Sequence, residues 1–338
     1  MNQRPFTPMG VGKLLDQSFS LYRSHFGIFV LLALLWMGPV LLLQDLTLND
    51  VTRMPLLYQD TESEDAWEAL AEKLIASDEV LTDSIVMIFV YLLLVVPIMS
   101  LVSYPQLLSA TFFVAKGAIE GESVRFGQAV KQSLRRFWPL VGSTVLYMLI
   151  AIGIVLAYMA LCGLIAFLFI WSNSGADPFA YATESESVWL VLTIIGLYLL
   201  FLVGMVVVPG YFLLRLGFYL PFVALGESAP GFGKSWEVTK GNFWRLFGMY
   251  MVVMILYSMF FGGLQVVITA GMGVSILSTL LLLIANCLLM PWGMIVYTLA
   301  YLDLRVRKEG TDLEMMLAEP AAELAAAVPT TSPGERHE

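Results

Sequence analysis

Two histidines and two cysteines are all the imidazole and thiol this 338-residue chain has for a metal or a nucleophile. His25 closes a helical pattern near the start and His337 lies in the tail, while Cys162 and Cys287 sit inside apolar runs. Donors so placed do not assemble a His/Cys zinc site, which needs three or four ligands converging on one ion. Asp60, Glu62 and Glu64 alternate as in a calcium loop. No glycine follows at the sixth position, however, and Ala71 occupies the twelfth, which excludes an EF-hand. No Gly-Lys-Ser/Thr phosphate loop, Gly-x-Ser-x-Gly elbow or Gly-x-Gly-x-x-Gly turn after a strand is present. The expectation is a chain without enzymatic activity, metal or cofactor.

What remains is binding chemistry, in two groups of residues. The first is basic and aromatic. In "GKSWEVTKGNFWRLFG", residues 233 to 248, Lys234, Lys240 and Arg245 alternate with Trp236, Phe243 and Trp244. Lys131, Arg135 and Arg136 precede another aromatic pair, and Arg305, Arg307 and Lys308 follow an apolar run in "DLRVRKEG". Cations interleaved with rings suit a membrane surface, where the rings enter the interface and the charges meet anionic headgroups. A membrane-protein partner is a further candidate for the same face. The second group is polar residues within apolar runs: Gln106, Arg215, Gln265 and Asn286. Such groups either bond neighbouring helices or line a solute path. Arg215, six residues after Pro209, is expected to snorkel to the headgroups. No acid lies within a span to relay protons.

These residues need elements to carry them, and composition says which. The chain is 59% apolar and 13% charged, outside the range of soluble domains. Apolar stretches of about 20 residues, enough to cross a hydrocarbon core of about 30 Å, occur near 26 to 44, 84 to 104, 139 to 160, 188 to 208, 249 to 270 and 275 to 297. Two of them continue in helical pattern, from Asp83 to Gly117 and from Phe137 to Trp171, so bends or tilts are expected. The fold class is an all-α integral membrane protein with six transmembrane helices. Sixteen bases fall on one side of this topology and only Arg53 and Lys73 on the other, which places both termini in the cytoplasm. The net charge of −9 resides in the outer loop at 45 to 83, so the acidic balance describes one loop and names no nucleic-acid partner. Within that loop Ala66, Trp67, Leu70, Ala71, Leu74 and Ile75 share one face of a short amphipathic helix.

The elements repeat. Phe126 to Trp138 aligns without a gap on Phe232 to Trp244, and "GVGKLLDQSFSLYRSHFGIF" has the same shape. Each copy ends in a span with a proline: Val96-Pro97, Val208-Pro209 and Met290-Pro291. Glu227 and Glu309 follow their prolines at equal distance. The pattern is three hairpins, each introduced by a cytoplasmic amphipathic interfacial helix: residues 1–122, 123–228 and 229–312, with 313–338 as a tail. Val11, Leu14, Leu15, Phe19, Tyr22 and Phe26 form the apolar face of the first such helix, and Phe126, Val130, Leu134 and Phe137 that of the second. Three equivalent kinks imply a common central packing region.

"GVGKLLDQSFSLYRSHFG", "SWEVTKGNFWRLFGMY" and "YLDLRVRKEGTDLE" resemble, in order, the bacterial membrane-protein family named after the membrane region of some glycerophosphoryl diester phosphodiesterases. The resemblance covers residues 8 to 315 and implies a bacterial cytoplasmic membrane protein that lacks the catalytic domain of the fused members. The expected function is a non-enzymatic accessory or scaffold working through lipid or protein contacts at its basic cytoplasmic face. The alternative is a transporter or channel for a small or amphipathic solute, which requires a cavity lined by Gln106, Arg215, Gln265 and Asn286.

Overall fold

The computed structural model describes residues 9–48, 86–122, 124–173, 186–273 and 275–327. Its helices are α1 (Val11–Ser24), α2 (Phe26–Trp36), α3 (Gly38–Leu48), α4 (Val86–Glu120), α5 (Phe126–Arg135), α6 (Phe137–Asn173), α7 (Glu186–Leu216), α8 (Tyr219–Leu225), α9 (Phe232–Val238), α10 (Phe243–Met272) and α11 (Ile276–Ala327). No strand occurs among the described residues. The acidic stretch with its amphipathic face at 66 to 75 lies outside them.

Five helices, α4, α6, α7, α10 and α11, are long and apolar enough to cross a membrane, and a sixth span exists if the pair α1 and α2 is taken together. That pair bends by 84° at His25, whose φ of −123° and ψ of 27° leave the helical region. The apolar run at 26 to 44 is not one rod. It divides at Met37 into α2 and α3, because Pro39 has no N–H to give the carbonyl four residues earlier. Pro97 acts differently in α4: the helix continues, but wide π turns at Tyr91–Val95 and Ile98–Ser103 flank the proline. Pro209 and Pro291 lie within the continuous helices α7 and α11.

Three short helices, α1, α5 and α9, each precede a long apolar stretch, and their burial agrees at two matched positions. Leu14, Ala129 and Ser235 are fully buried, as are Ser18, Ser133 and Thr239 four residues on. Each hydroxyl of the second set donates to the carbonyl three residues earlier, at 2.6, 3.0 and 3.2 Å for Ser18, Ser133 and Thr239. The buried stripe of α1 thus runs through Leu14 and Ser18, whereas Phe19, expected on that face, is 45% exposed. A bonded serine lets the short helix sit closer to its neighbour than a phenylalanine would. The third of these helices is shorter than the basic aromatic stretch implied. α9 ends at Val238, Gly241 takes a φ of +80°, and Phe243 already begins α10.

The short helices dock in a closed order. α5 packs on α4, α9 on α7, and α1, the first, on α11, the last. Trp292 of α11 donates its indole N–H to the Ser18 hydroxyl at 3.0 Å and stacks on Phe19, with 4.7 Å between ring centroids. The long helices follow the same circuit: α2 touches α4 and α11, α6 touches α4 and α7, and α10 touches α7 and α11. At the end where the short helices lie, α4, α8 and α11 converge on a buried aromatic cluster of Phe112, Phe222 and Tyr301. Edge-to-face pairs of this kind add packing specificity to their apolar burial. Most of the remaining apolar surface faces outward from α6, α7 and α10, as a lipid-facing wall would.

Gly231 tests the docking of α9. Its φ is +81°, and a Cβ there would lie 3.0 Å from the Tyr219 carbonyl oxygen. Gly231→Ala is expected to destabilise by at least about 1–2 kcal/mol, the usual penalty of a left-handed non-glycine residue. Gly233→Ala, a helical position with nothing within 4 Å, should be neutral or slightly stabilising. Thermal unfolding of both variants in one neutral detergent checks the contrast.

Candidate functional site

The bundle is not filled above the aromatic cluster. A cleft of about 680 Å³ lies between α3, α4, α6, α7, α10 and α11. Residues beside the prolines supply part of its wall: Met99 and Ser100 follow Pro97, Gly210 follows Pro209, and Met290 precedes Pro291. The lining is apolar and flexible, with Met37, Met99, Met148 and Met290 among aliphatic and aromatic groups. Its polar atoms are chiefly tyrosine hydroxyls. Tyr147 donates to the Leu213 carbonyl at 3.1 Å, Tyr219 to the Thr144 hydroxyl at 2.9 Å, and Tyr297 to the Gly217 carbonyl at 2.7 Å. Tyr104 and Tyr250 also line the cleft, and their hydroxyls make no hydrogen bond to another described residue. An apolar trough with a few directed hydroxyls can hold the body of an amphipathic molecule.

A second cavity of about 260 Å³ lies beside it, lined by Gln44, Asp45, Gln265, Thr279 and Asn286 together with Leu41, Phe261, Leu282 and Leu283. Leu41, Gln44 and Asn286 belong to both walls, so the two spaces adjoin. Tyr257 donates to the Asn286 side chain at 3.4 Å. The smaller space is the polar one.

At the opposite end the basic residues meet partners within the protein. Asp303 is fully buried and accepts from the Met9 backbone N–H at 2.7 Å, from Arg245 at 2.6 Å and from Arg307 at 2.9 Å. Both arginines return to the Met9 carbonyl, at 2.8 and 3.0 Å. Arg305 bridges Glu227 at 2.7 Å and Glu309 at 2.9 Å, the two acids that follow their prolines at equal distance. Lys308 pairs with Glu237 at 3.4 Å, and Lys234 with Glu227 at 3.7 Å. Arg136 lies against Gly226, whose φ of +77° and missing Cβ leave the guanidinium room. Lys131, Arg135 and Lys240 are exposed, beside Trp138 at 79% and Trp244 at 75% exposure.

Arg215 differs from expectation. It does not snorkel: it is 8% exposed, with its guanidinium carbon 3.6 Å from the Trp236 ring centroid. It donates to the Tyr211 hydroxyl at 2.8 Å and to the Trp236 carbonyl at 3.1 Å. The reason is local. α9 docks on α7 through Ser235, whose hydroxyl donates to the Arg215 carbonyl at 2.7 Å, and this sets Trp236 as a lid over the cation. Trp236 is therefore partly buried as a cover over Arg215.

Of the four intramembrane polar candidates, the structure brings Gln265 and Asn286 to one cavity and leaves two elsewhere. Gln106 is fully buried in α4 away from both cavities, with neither amide atom partnered, and Arg215 lies under Trp236. The tyrosines of the cleft, the pair Gln44 and Asp45, and the junction at Asp303 were not singled out by sequence. Asp303 carried one signal, its spacing of four from Arg307 on a helix. The tyrosines carried none, since aromatic residues in apolar runs are ordinarily packing.

The family described as Domain of unknown function (DUF7847) matches residues 26–311. No curated protein and no solved structure matches the chain.

Asp303 and Trp236 give the site its stability test. Asp303→Asn leaves two arginines facing each other without their carboxylate and is expected to cost roughly 2–3 kcal/mol, below the fully buried range because both arginines keep some solvent. Trp236→Ala should also lower the unfolding temperature in a neutral detergent free of anionic lipid, whereas Lys131→Ala should stay within about 0.5 kcal/mol of the parent. Thermal melts of the three variants decide whether these groups hold the fold or only meet the membrane surface.

Proposed function

The chain belongs to the DUF7847 family, whose function is unknown, and on that premise we propose from the site that it binds and moves a small amphipathic molecule in a membrane. The observation that carries this is the cleft of about 680 Å³, to which every long apolar helix contributes and whose apolar wall is dotted with tyrosine hydroxyls. That volume lies within the usual range of ligand pockets, about 300–1,000 Å³. The cleft adjoins the prolines of three helices, the parts of a bundle most able to change their bend.

The same proposal includes the setting. The protein has six spans in three repeated hairpins, with the docked short helices and both termini on the cytoplasmic side of a bacterial membrane. Its support is the distribution of Lys and Arg and the matched burial of Ser18, Ser133 and Thr239. Kinship with the family named after the phosphodiesterase membrane region is proposed on the three quoted motifs, and the absence of catalytic activity on the missing constellation of acids and bases. A second reading, an accessory role through anionic lipid headgroups or a membrane-protein partner, keeps support from the exposed Lys131, Arg135, Lys240, Trp138 and Trp244. It is the weaker one, because Arg245, Arg305, Arg307 and Lys308 already pair internally.

Gly210 provides the test. A Cβ on Gly210 meets nothing within 4 Å, and the residue lines the cleft, so Gly210→Phe fills the space without disturbing the packing behind it. Protein purified gently from native membranes should retain an amphiphile detectable by mass spectrometry, and Gly210→Phe should reduce it at least about tenfold at an unchanged unfolding temperature. Equal retention by both proteins would show that nothing occupies the cleft.

A further inference from the structure

We propose that the smaller cavity holds the head of the amphiphile and that this head is cationic, an alkylammonium whose chain lies in the larger cleft. The inference rests on the cleft being an amphiphile site. The two spaces share Leu41, Gln44 and Asn286, so one molecule can occupy both without a break. The smaller one, about 260 Å³, has room for a compact head and not for a second chain. Its one charge is negative. Asp45 is the one charged side chain among the described lining residues of either cavity, and no lysine, arginine or histidine is among them. Gln44, Gln265 and Asn286 line the same space with amides that can accept as well as donate. The Thr279 hydroxyl donates to the Ser275 carbonyl at 3.1 Å, which leaves its oxygen lone pairs for a donor in the cavity. An ammonium supplies N–H groups and a positive charge to this set. A carboxylate or phosphate head would face Asp45 without a compensating cation among the described lining residues, and a hydroxyl head would gain hydrogen bonds but not the charge.

The test uses the full chain in phosphatidylcholine nanodiscs with two photoreactive probes of equal length, hexadecylamine and hexadecanol, each carrying a diazirine in its chain. Labelled peptides are mapped by mass spectrometry. Hexadecylamine should label cleft residues such as Met99 and Met148 at roughly tenfold lower concentration than hexadecanol, the ratio of a charge-assisted hydrogen bond to a neutral one. Asp45→Asn should bring the two probes to parity, and Asp45→Glu should keep the amine's advantage. If Asp45→Asn does not give a cooperative melt, Gln265→Leu replaces it and should reduce the advantage in part. An advantage that survives in these variants, or parity of the probes in the parent protein, overturns the cationic assignment. If neither probe labels the cleft, the amphiphile reading itself fails, an outcome distinct from parity.

Discussion

The bundle hangs on one buried carboxylate. Asp303 accepts the Met9 N–H and two arginines, from α10 and from its own helix, and the Met9 carbonyl takes a second bond from each arginine. A chain of successive hairpins is open between its first and last elements. Here α1 must find α11, nearly three hundred residues away in sequence, and the Asp303 junction fixes where it lands. Desolvating a carboxylate is expensive unless charges and hydrogen bonds converge on it, so the junction is all or nothing. That property suits a closure: a partial arrangement leaves two cations facing each other, and only the native register satisfies every group. Trp292 on Ser18 and Phe19 then completes the contact with packing.

Once the circuit is closed, the cleft follows from the prolines. Continuous helices packed side by side would fill their centre, as soluble bundles do. Pro97, Pro209 and Pro291 each remove a backbone donor, and α4 answers with wide turns on both sides of its proline. α4 and α11, with α8 following α7, meet at Phe112, Tyr301 and Phe222, while the cleft opens among α4, α7 and α11 near the prolines. Methionines and tyrosines line the gap. Methionine adapts to variable shapes, and a tyrosine hydroxyl held by a carbonyl keeps its ring at a defined angle. The cleft is thus a built space with fixed rings and yielding walls.

Much of this was legible in the residues, and the failures share a cause. Hydropathy placed the apolar helices, the spacing of Lys, Arg and aromatic residues located three short helices, and matched prolines announced a common central region. Periodicity reports which face of a helix is buried, but not what buries it. Phe19 was read with Leu14 on one apolar face turned to the membrane interface. The pattern did not show that the side packed in the protein runs through Leu14 and Ser18, where a small bonded residue allows close docking of α1 on α11. Arg215 was assigned to the headgroups because nothing local says that Trp236, twenty-one positions later, folds back over it. Asp303, in a run with Arg305, Arg307 and Lys308, suggested only local ion pairing. Its role depends on Met9 and Arg245, whose distance in sequence hides them from any local pattern.

Charge placement separates the two functional readings. A protein that works by presenting cations to a membrane or partner keeps them free, with long side chains in water. In this one, Arg245 and Arg307 close the circuit, Arg305 ties Glu227 of one hairpin to Glu309 of another, and Arg215 is sealed under a ring. The basic end is mostly structural mortar, with Lys131, Arg135 and Lys240 left exposed beside it. The polar groups at the two cavities are of another kind. The Tyr104 and Tyr250 hydroxyls bond no other described residue, and the amides and carboxylate of the adjoining cavity lie beside them, whereas the unpartnered Gln106 lies elsewhere in α4. Polar groups within apolar helices are costly unless something completes them. Their place around two connected spaces is the observation on which the proposal of a bound amphiphile rests.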